Sequence, residues 1–122
     1  MATVLIVDDS SFDRLVIRKC LENNDHSVVG EATNAQEALE LYRKQRPDVV
    51  ILDIYMNNEN GINVLRNIMS YDENANVIMC TSSALQTTVI QANQLGAKYF
   101  LAKPVTEDVL LKTINKILLR QN

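Results

Sequence analysis

Five short runs of apolar, largely β-branched residues recur along the chain, separated by stretches with helical periodicity. The runs cover Thr3–Asp8, Ser27–Ala32, Val49–Asp53, Asn76–Thr81 and Tyr99–Ala102. Within them Val4-Leu5-Ile6-Val7, Val49-Val50-Ile51-Leu52 and Val77-Ile78-Met79-Cys80 are continuously apolar rather than alternating. Continuous runs of this length mark strands covered on both faces, the situation in a parallel sheet.

The intervening stretches each present one apolar face at three- and four-residue spacing. Phe12, Leu15, Val16 and Cys20 share a face in the first, and Ala35, Ala38, Leu39 and Tyr42 in the second. Ile62, Leu65, Ile68 and Met69 mark the third, Leu85, Val89, Ala92 and Leu95 the fourth, and Leu110, Ile114, Ile117 and Leu118 the fifth. Cap signals agree with these limits. Asn34 followed by Glu37 reads as a capping box, Pro47 stops the second helix, and Gly96 suits a left-handed C-cap. Thr106, Glu107 and Asp108 open the last helix with a cap and acidic charge, and Lys116 and Arg120 lie near its end.

A strand–helix unit repeated five times predicts an α/β fold. It is a doubly wound, five-stranded parallel sheet with right-handed crossovers and helices on both faces. The 122 residues are expected to form one domain, 1–122, with Gln121-Asn122 directly after the last helix. Ligands of such sheets bind outside the carboxyl ends of the strands. Four predicted strands deliver a polar group to that edge: Asp8-Asp9, Asp53, Thr81 and Lys103.

Composition narrows the function classes. A net charge of −3 argues against direct nucleic-acid binding, which needs a basic face. No apolar run approaches the ~20 residues of a membrane span. The start of the chain lacks a basic n-region, so no signal peptide is expected and the predicted location is cytoplasmic. Cys20 and Cys80 are distant in sequence and read as small apolar side chains. His26 reads as a solvated loop residue, and Lys112, Lys116 and Arg120 as a solvated helix face.

Three converging carboxylates repel one another unless one holds a proton or a cation neutralises them. A few hard oxygen ligands with room left for water and phosphate suit Mg²⁺, with Mn²⁺ able to replace it. Three carboxylates are balanced in charge by one Mg²⁺ and the Lys103 ammonium. Mg²⁺ and Lys103 can share the charge of an incoming phosphoryl group, and the Thr81 hydroxyl can donate to one of its oxygens. Asp53, single at a strand end, is the best candidate for a nucleophile forming an acyl phosphate, with Asp8 and Asp9 as a metal pair.

Taken together, Asp8-Asp9, Asp53-x-x-Met56 with Gly61 following, Thr81-Ser82-Ser83 and Lys103-Pro104 resemble the receiver domain of two-component response regulators. The resemblance spans essentially the whole chain and looks like the stand-alone chemotaxis branch. It implies a flavodoxin-like strand order 2-1-3-4-5 and a cis Lys103–Pro104 bond. It implies phosphorylation of Asp53 by the histidine of a sensor kinase or histidine phosphotransferase. Mg²⁺ would be held by Asp8, Asp9, Asp53 and the backbone carbonyl of Tyr55. Thr81 and Phe100 would act as the switch, Thr81 moving inward and Phe100 turning from exposed to buried, which reshapes the face of the fourth helix, fifth strand and fifth helix.

The implied partners are a flagellar-switch target and a phosphatase, and the implied state is a monomer or weak dimer. No turnover chemistry is implied beyond self-phosphorylation and slow self-dephosphorylation. A relay intermediate, or a receiver separated from a DNA-binding output, would carry the same residues. Asn57 stands where the family usually has proline, so the segment Asn57 to Asn60 is expected to be mobile. Tyr55 and Ser83 flank the site, and Tyr55 is expected to screen it from water. A dehalogenase-type hydrolase would need Asp-x-Asp where Asp8-Asp9-Ser10 stands, and a nucleotide or flavin binder would need a glycine-rich loop there.

Overall fold

The structure, a computed structural model, describes residues 1–56, 59–82 and 86–120. The strands are β1 (Thr3–Val7), β2 (Ser27–Ala32), β3 (Val49–Asp53), β4 (Tyr55–Met56), β5 (Glu59–Asn60), β6 (Val77–Thr81) and β7 (Tyr99–Ala102). The helices are α1 (Ser11–Glu22), α2 (Ala35–Gln45), α3 (Gly61–Tyr71), α4 (Gln86–Gln94) and α5 (Glu107–Arg120). The main sheet runs β2-β1-β3-β6-β7, every neighbouring pair parallel. Counting the five long strands alone, this is the implied order 2-1-3-4-5 of a doubly wound, flavodoxin-like fold.

Alternation along the central strands divides the interior into two cores. Leu5, Val7, Val50, Leu52, Val77 and Met79 face α2 and α3, where Ala38, Tyr42, Leu65 and Ile68 close the layer. Val4, Ile6, Val49, Ile51, Ile78 and Cys80 face the opposite side, sealed by Ile17 and Leu21 of α1 and Leu110, Ile114 and Ile117 of α5. Both cysteines are free thiols. Burial pushes the Cys80 thiol up to about 12, so it stays protonated and inert. Among the described residues no helix is long and apolar enough to cross a membrane.

The caps follow the expected chemistry. Asn34 accepts from the Glu37 amide at 2.9 Å, and Glu37 accepts in return from the Thr33 amide at 2.9 Å. Gly96 takes φ 105° after α4. The left-handed position after α2, however, is Arg46 at φ 46°, ahead of Pro47. Leu85, expected on the face of α4, lies outside the described residues, as do Asn57, Ser83, Gln121 and Asn122.

Three expectations are corrected. Phe12, Leu15 and Val16 do not pack inward: they are 70%, 47% and 44% exposed, and α1 buries Ile17 and Leu21 instead. Arg14 and Arg18 both bind Glu31 of β2, at 2.9 and 2.6 Å, and Arg14 also donates to the Asp8 carbonyl at 2.7 Å. These contacts fix the rotation of the helix and turn the other apolar stripe outward. His26 is half-buried rather than solvated, because its Nδ1 accepts the Ala2 amide at 2.9 Å. Burial accordingly holds its pKa below the usual histidine range. Finally, half of the segment expected to be mobile is paired: Glu59 and Asn60 lie antiparallel to Met56 and Tyr55.

That hairpin ends at Gly61, whose amide donates to the Ile54 carbonyl at 2.6 Å. A Cβ there would lie 2.2 Å from the Asp53 carbonyl oxygen and 2.6 Å from the Ile54 Cα. Both obstacles are backbone, so the clash cannot be relieved by a side-chain rotation. Gly61→Ala is expected to destabilise the fold by about 2–3 kcal/mol, the scale of overpacking at a fixed backbone. Urea unfolding checks this, and a midpoint equal to wild type would refute it.

Candidate functional site

Strand register brings the polar residues together. Val7 pairs with Leu52, so Asp8 and Asp53 emerge side by side one residue later. Asp53 pairs with Cys80 and Thr81 with Ala102, which sets Thr81 and then Lys103 along the same edge. The Lys103 amide donates to the Thr81 carbonyl at 2.8 Å, and the Lys103–Pro104 bond is cis. The row of groups read from the strand ends is therefore one site.

Lys103 is its hub. The Nζ donates to Asp8 Oδ2 at 2.8 Å, Asp13 Oδ2 at 2.9 Å and Asp53 Oδ2 at 3.0 Å. Asp8 and Asp53 are buried, and such charges persist only when paired. Desolvation works to lower the Lys103 pKa, but hydrogen bonds to Asp8, Asp13 and Asp53 overcome it and hold the ammonium above the ordinary lysine value. Burial pushes the Asp53 carboxyl up, against the opposing pull of Lys103. A buried carboxylate that resists ionisation is thus kept beside a lysine that stays charged.

Asp8, Asp9 and Asp53 each offer a carboxylate oxygen, all within 4.8 Å of one another, a grouping that could hold a metal ion. The donor set of hard, anionic oxygens fits a small divalent cation. Asp8 is further fixed by accepting from the Ser10 amide at 2.9 Å, and Asp53 by accepting from the Tyr55 amide at 3.2 Å. Thr81 is buried at the same edge, and the Tyr55 side chain is exposed at its rim. Phe100 of β7, three residues before Lys103, is not exposed as the resemblance implied: it is partly buried, because its ring packs against the α2–α3 core.

Two participants escape the strand-end pattern. Asp13 reaches Lys103 from the first turn of α1, and Arg14 holds the Asp8 carbonyl. Acidic residues in a first turn are ordinarily explained by the helix dipole, which hides a longer-range partner. Ser10, rather than Asp8 or Asp9, caps α1, accepting from the Asp13 amide at 3.2 Å.

Residues 4–115 match the response regulator receiver domain. The chain belongs to the response regulator receiver family. Chemotaxis protein CheY of Bacillus subtilis is 44% identical over 115 residues, covering 94% of this chain and 96% of its own length. Protein CcdB of the same organism is 43% identical over 118 residues, covering 97% and 98%. The crystal structure of the CheX-CheY-BeF3-Mg complex from Borrelia burgdorferi is similar at a TM-score of 0.90 and 32% identity, covering 95% of this chain and 88% of that one. This is a receiver of the CheY type.

The charge balance of the receiver site has a measurable consequence. Asp53 has a raised pKa when folded, so its ionisation opposes folding as pH rises from about 4, the unfolded value. In divalent-free buffer at pH 7, Asp53→Asn is expected to raise Tm, and the gain should vanish near pH 4. Mg²⁺ at about ten times its Kd should raise the wild-type Tm by roughly 5 °C and the variant's by less. Thermal unfolding across pH and Mg²⁺ concentration tests both, and a wild-type Tm indifferent to Mg²⁺ would exclude a divalent site.

Proposed function

We propose that Asp53 accepts a phosphoryl group from a phosphohistidine on a sensor kinase or histidine phosphotransferase, and that the modified chain binds a partner in chemotaxis or motility signalling. The observation carrying this reading is the shared ammonium. Lys103 bridges Asp8 and Asp53 at the edge where open α/β sheets bind ligands, beside a third carboxylate, Asp9.

In the transfer, a carboxylate oxygen of Asp53 forms the bond to phosphorus as the P–N bond to imidazole breaks. The ring nitrogen keeps the bonding pair. Lys103 already donates to Asp53 Oδ2, within reach of a group built on that carboxylate. Its ammonium shares the phosphoryl charge, and the Thr81 hydroxyl donates to a second oxygen. Asp8, Asp9, Asp53 and the Tyr55 carbonyl would hold Mg²⁺, or Mn²⁺ in its place, which when bound would add charge neutralisation for the phosphoryl group. In hydrolysis, water attacks phosphorus, the Asp53 carboxylate leaves with its electron pair, and inorganic phosphate and a proton are released. The exposed Tyr55 ring limits that water.

The output is a reshaped surface. Thr81 moves toward the phosphoryl group and Phe100 turns from partly buried to buried, altering the face of α4, β7 and α5. Phe100 has room to do so: with Val89, Ala92 and Ala97 it lines a cavity of about 250 Å³. Relatives carrying the name chemotaxis protein CheY favour a flagellar-switch target. These relatives match the chain over 95% and 96% of their own length, and favour a cytoplasmic receiver of the same type. The relative solved with CheX, BeF3 and Mg supports both a protein that acts on the modified state and a metal in the site.

With acetyl phosphate and Mg²⁺, intact-mass measurement is expected to show one phosphoryl adduct on wild type and none on Asp53→Asn. Thr81→Ala should lower the rate of adduct formation by about tenfold or more, as loss of one donor to a transferring group does. An adduct retained on Asp53→Asn would move the acceptor elsewhere and overturn the reading.

A further inference from the structure

Three carboxylates at the strand ends need compensation, yet Lys103 directs one of its three donors to a fourth. Asp13 lies outside the trio that groups its oxygens for a cation. Its side chain is 37% exposed, against 3% for Asp8 and 9% for Asp53. An ammonium has three donors, and here each one is taken by a different carboxylate. Asp13 is anchored on a helix rather than a loop, its amide bound to Ser10 Oγ at 3.2 Å.

The consequence is a conflict over one cation. A divalent ion and Lys103 together balance Asp8, Asp9 and Asp53, so Asp13 leaves the site one negative charge in excess. A phosphoryl group on Asp53 adds more negative charge and requires a Lys103 donor, so one existing contact must open. Asp8 and Asp53 hold the ammonium from within the cleft. The contact to Asp13 is the most exposed of the three, and water can replace it at least cost.

Resting on the receiver chemistry above, we propose that Asp13 is a latch of the unmodified state. It draws Lys103 toward α1, leaves Asp8 and Asp53 more open to a divalent cation, and must release the ammonium when a phosphoryl group occupies Asp53. Asp13 touches no reacting atom, and is a positioning residue acting through Lys103. The latch therefore favours cation binding and disfavours phosphoryl binding, two effects of opposite sign on two ligands of one site.

Asp13→Asn in the full chain tests this by calorimetry, with Mg²⁺ titrated first and beryllofluoride then titrated at saturating Mg²⁺. The variant should bind Mg²⁺ more weakly and beryllofluoride more tightly, each by a factor of about two to five, the scale of a partly exposed ion pair. Both differences should shrink at high salt. Asp13→Glu, which keeps the charge, should lie near wild type. A variant whose two affinities fall together has merely lost structure, and a beryllofluoride affinity that does not rise also refutes the latch; in either case the receiver chemistry stands if wild type binds beryllofluoride. If wild type neither binds beryllofluoride nor forms an adduct with acetyl phosphate, the receiver chemistry falls and the latch with it.

Discussion

One half-buried ammonium allows the carboxyl edge of this sheet to exist. Parallel pairing sets Asp8 and Asp53 level after Val7 and Leu52, with Thr81 and then Lys103 stepped further along the same edge. With Asp8 and Asp53 both buried there, the register itself creates electrostatic repulsion. Lys103 relieves it through contacts of 2.8 and 3.0 Å, at the cost of its own desolvation. Remove that amine and two desolvated carboxylates are left unpaired, a more costly outcome than never having buried them. The fold and the chemistry therefore share one support.

The same compensation sets a tension between stability and reactivity. Asp53 is held where ionisation is disfavoured, and the edge is more stable when that carboxyl is neutral. A site relaxed in the ligand-free state would gain little from a cation or a phosphoryl group. One with residual negative charge binds the cation strongly, and then needs Lys103 for whatever anion follows. Gly61 belongs to the same economy of space. Its missing side chain lets the hairpin return within van der Waals reach of the Asp53 backbone.

Most of this was readable in the residues, for a physical reason. Continuous apolar runs identify strands buried on both faces, and the residue ending such a run must lie at the ligand-binding edge. Asp8, Asp9, Asp53, Thr81 and Lys103 follow from that reasoning, whereas the strand order came from family resemblance. Periodicity failed at α1 because the helix carries two apolar stripes, and the choice between them rests with Glu31, a strand residue that binds Arg14 and Arg18. Asp13 was hidden because a first-turn acid already has an adequate local explanation. The His26 acceptor depends on where the chain's first residues return to the sheet, a tertiary fact with no sequence period.

How a charge event at the edge could reach the α4–β7–α5 face follows from the stiffness of the sheet. Lys103 and Thr81 are tied by a backbone hydrogen bond of 2.8 Å, and Phe100, opposite Met79, lies on the strand that Lys103 directly follows. In the proposed switch, a movement of the Lys103 backbone would be shared by the end of β7 and by β6 alongside it. Packed interiors accommodate such a displacement by changing between discrete arrangements rather than by yielding continuously. In the proposed switch, the open volume beside Phe100 would be the second place for its ring. The proposed contest between Asp13, Asp8 and Asp53 for one amine would thus reach, through a single strand, the surface proposed for a partner.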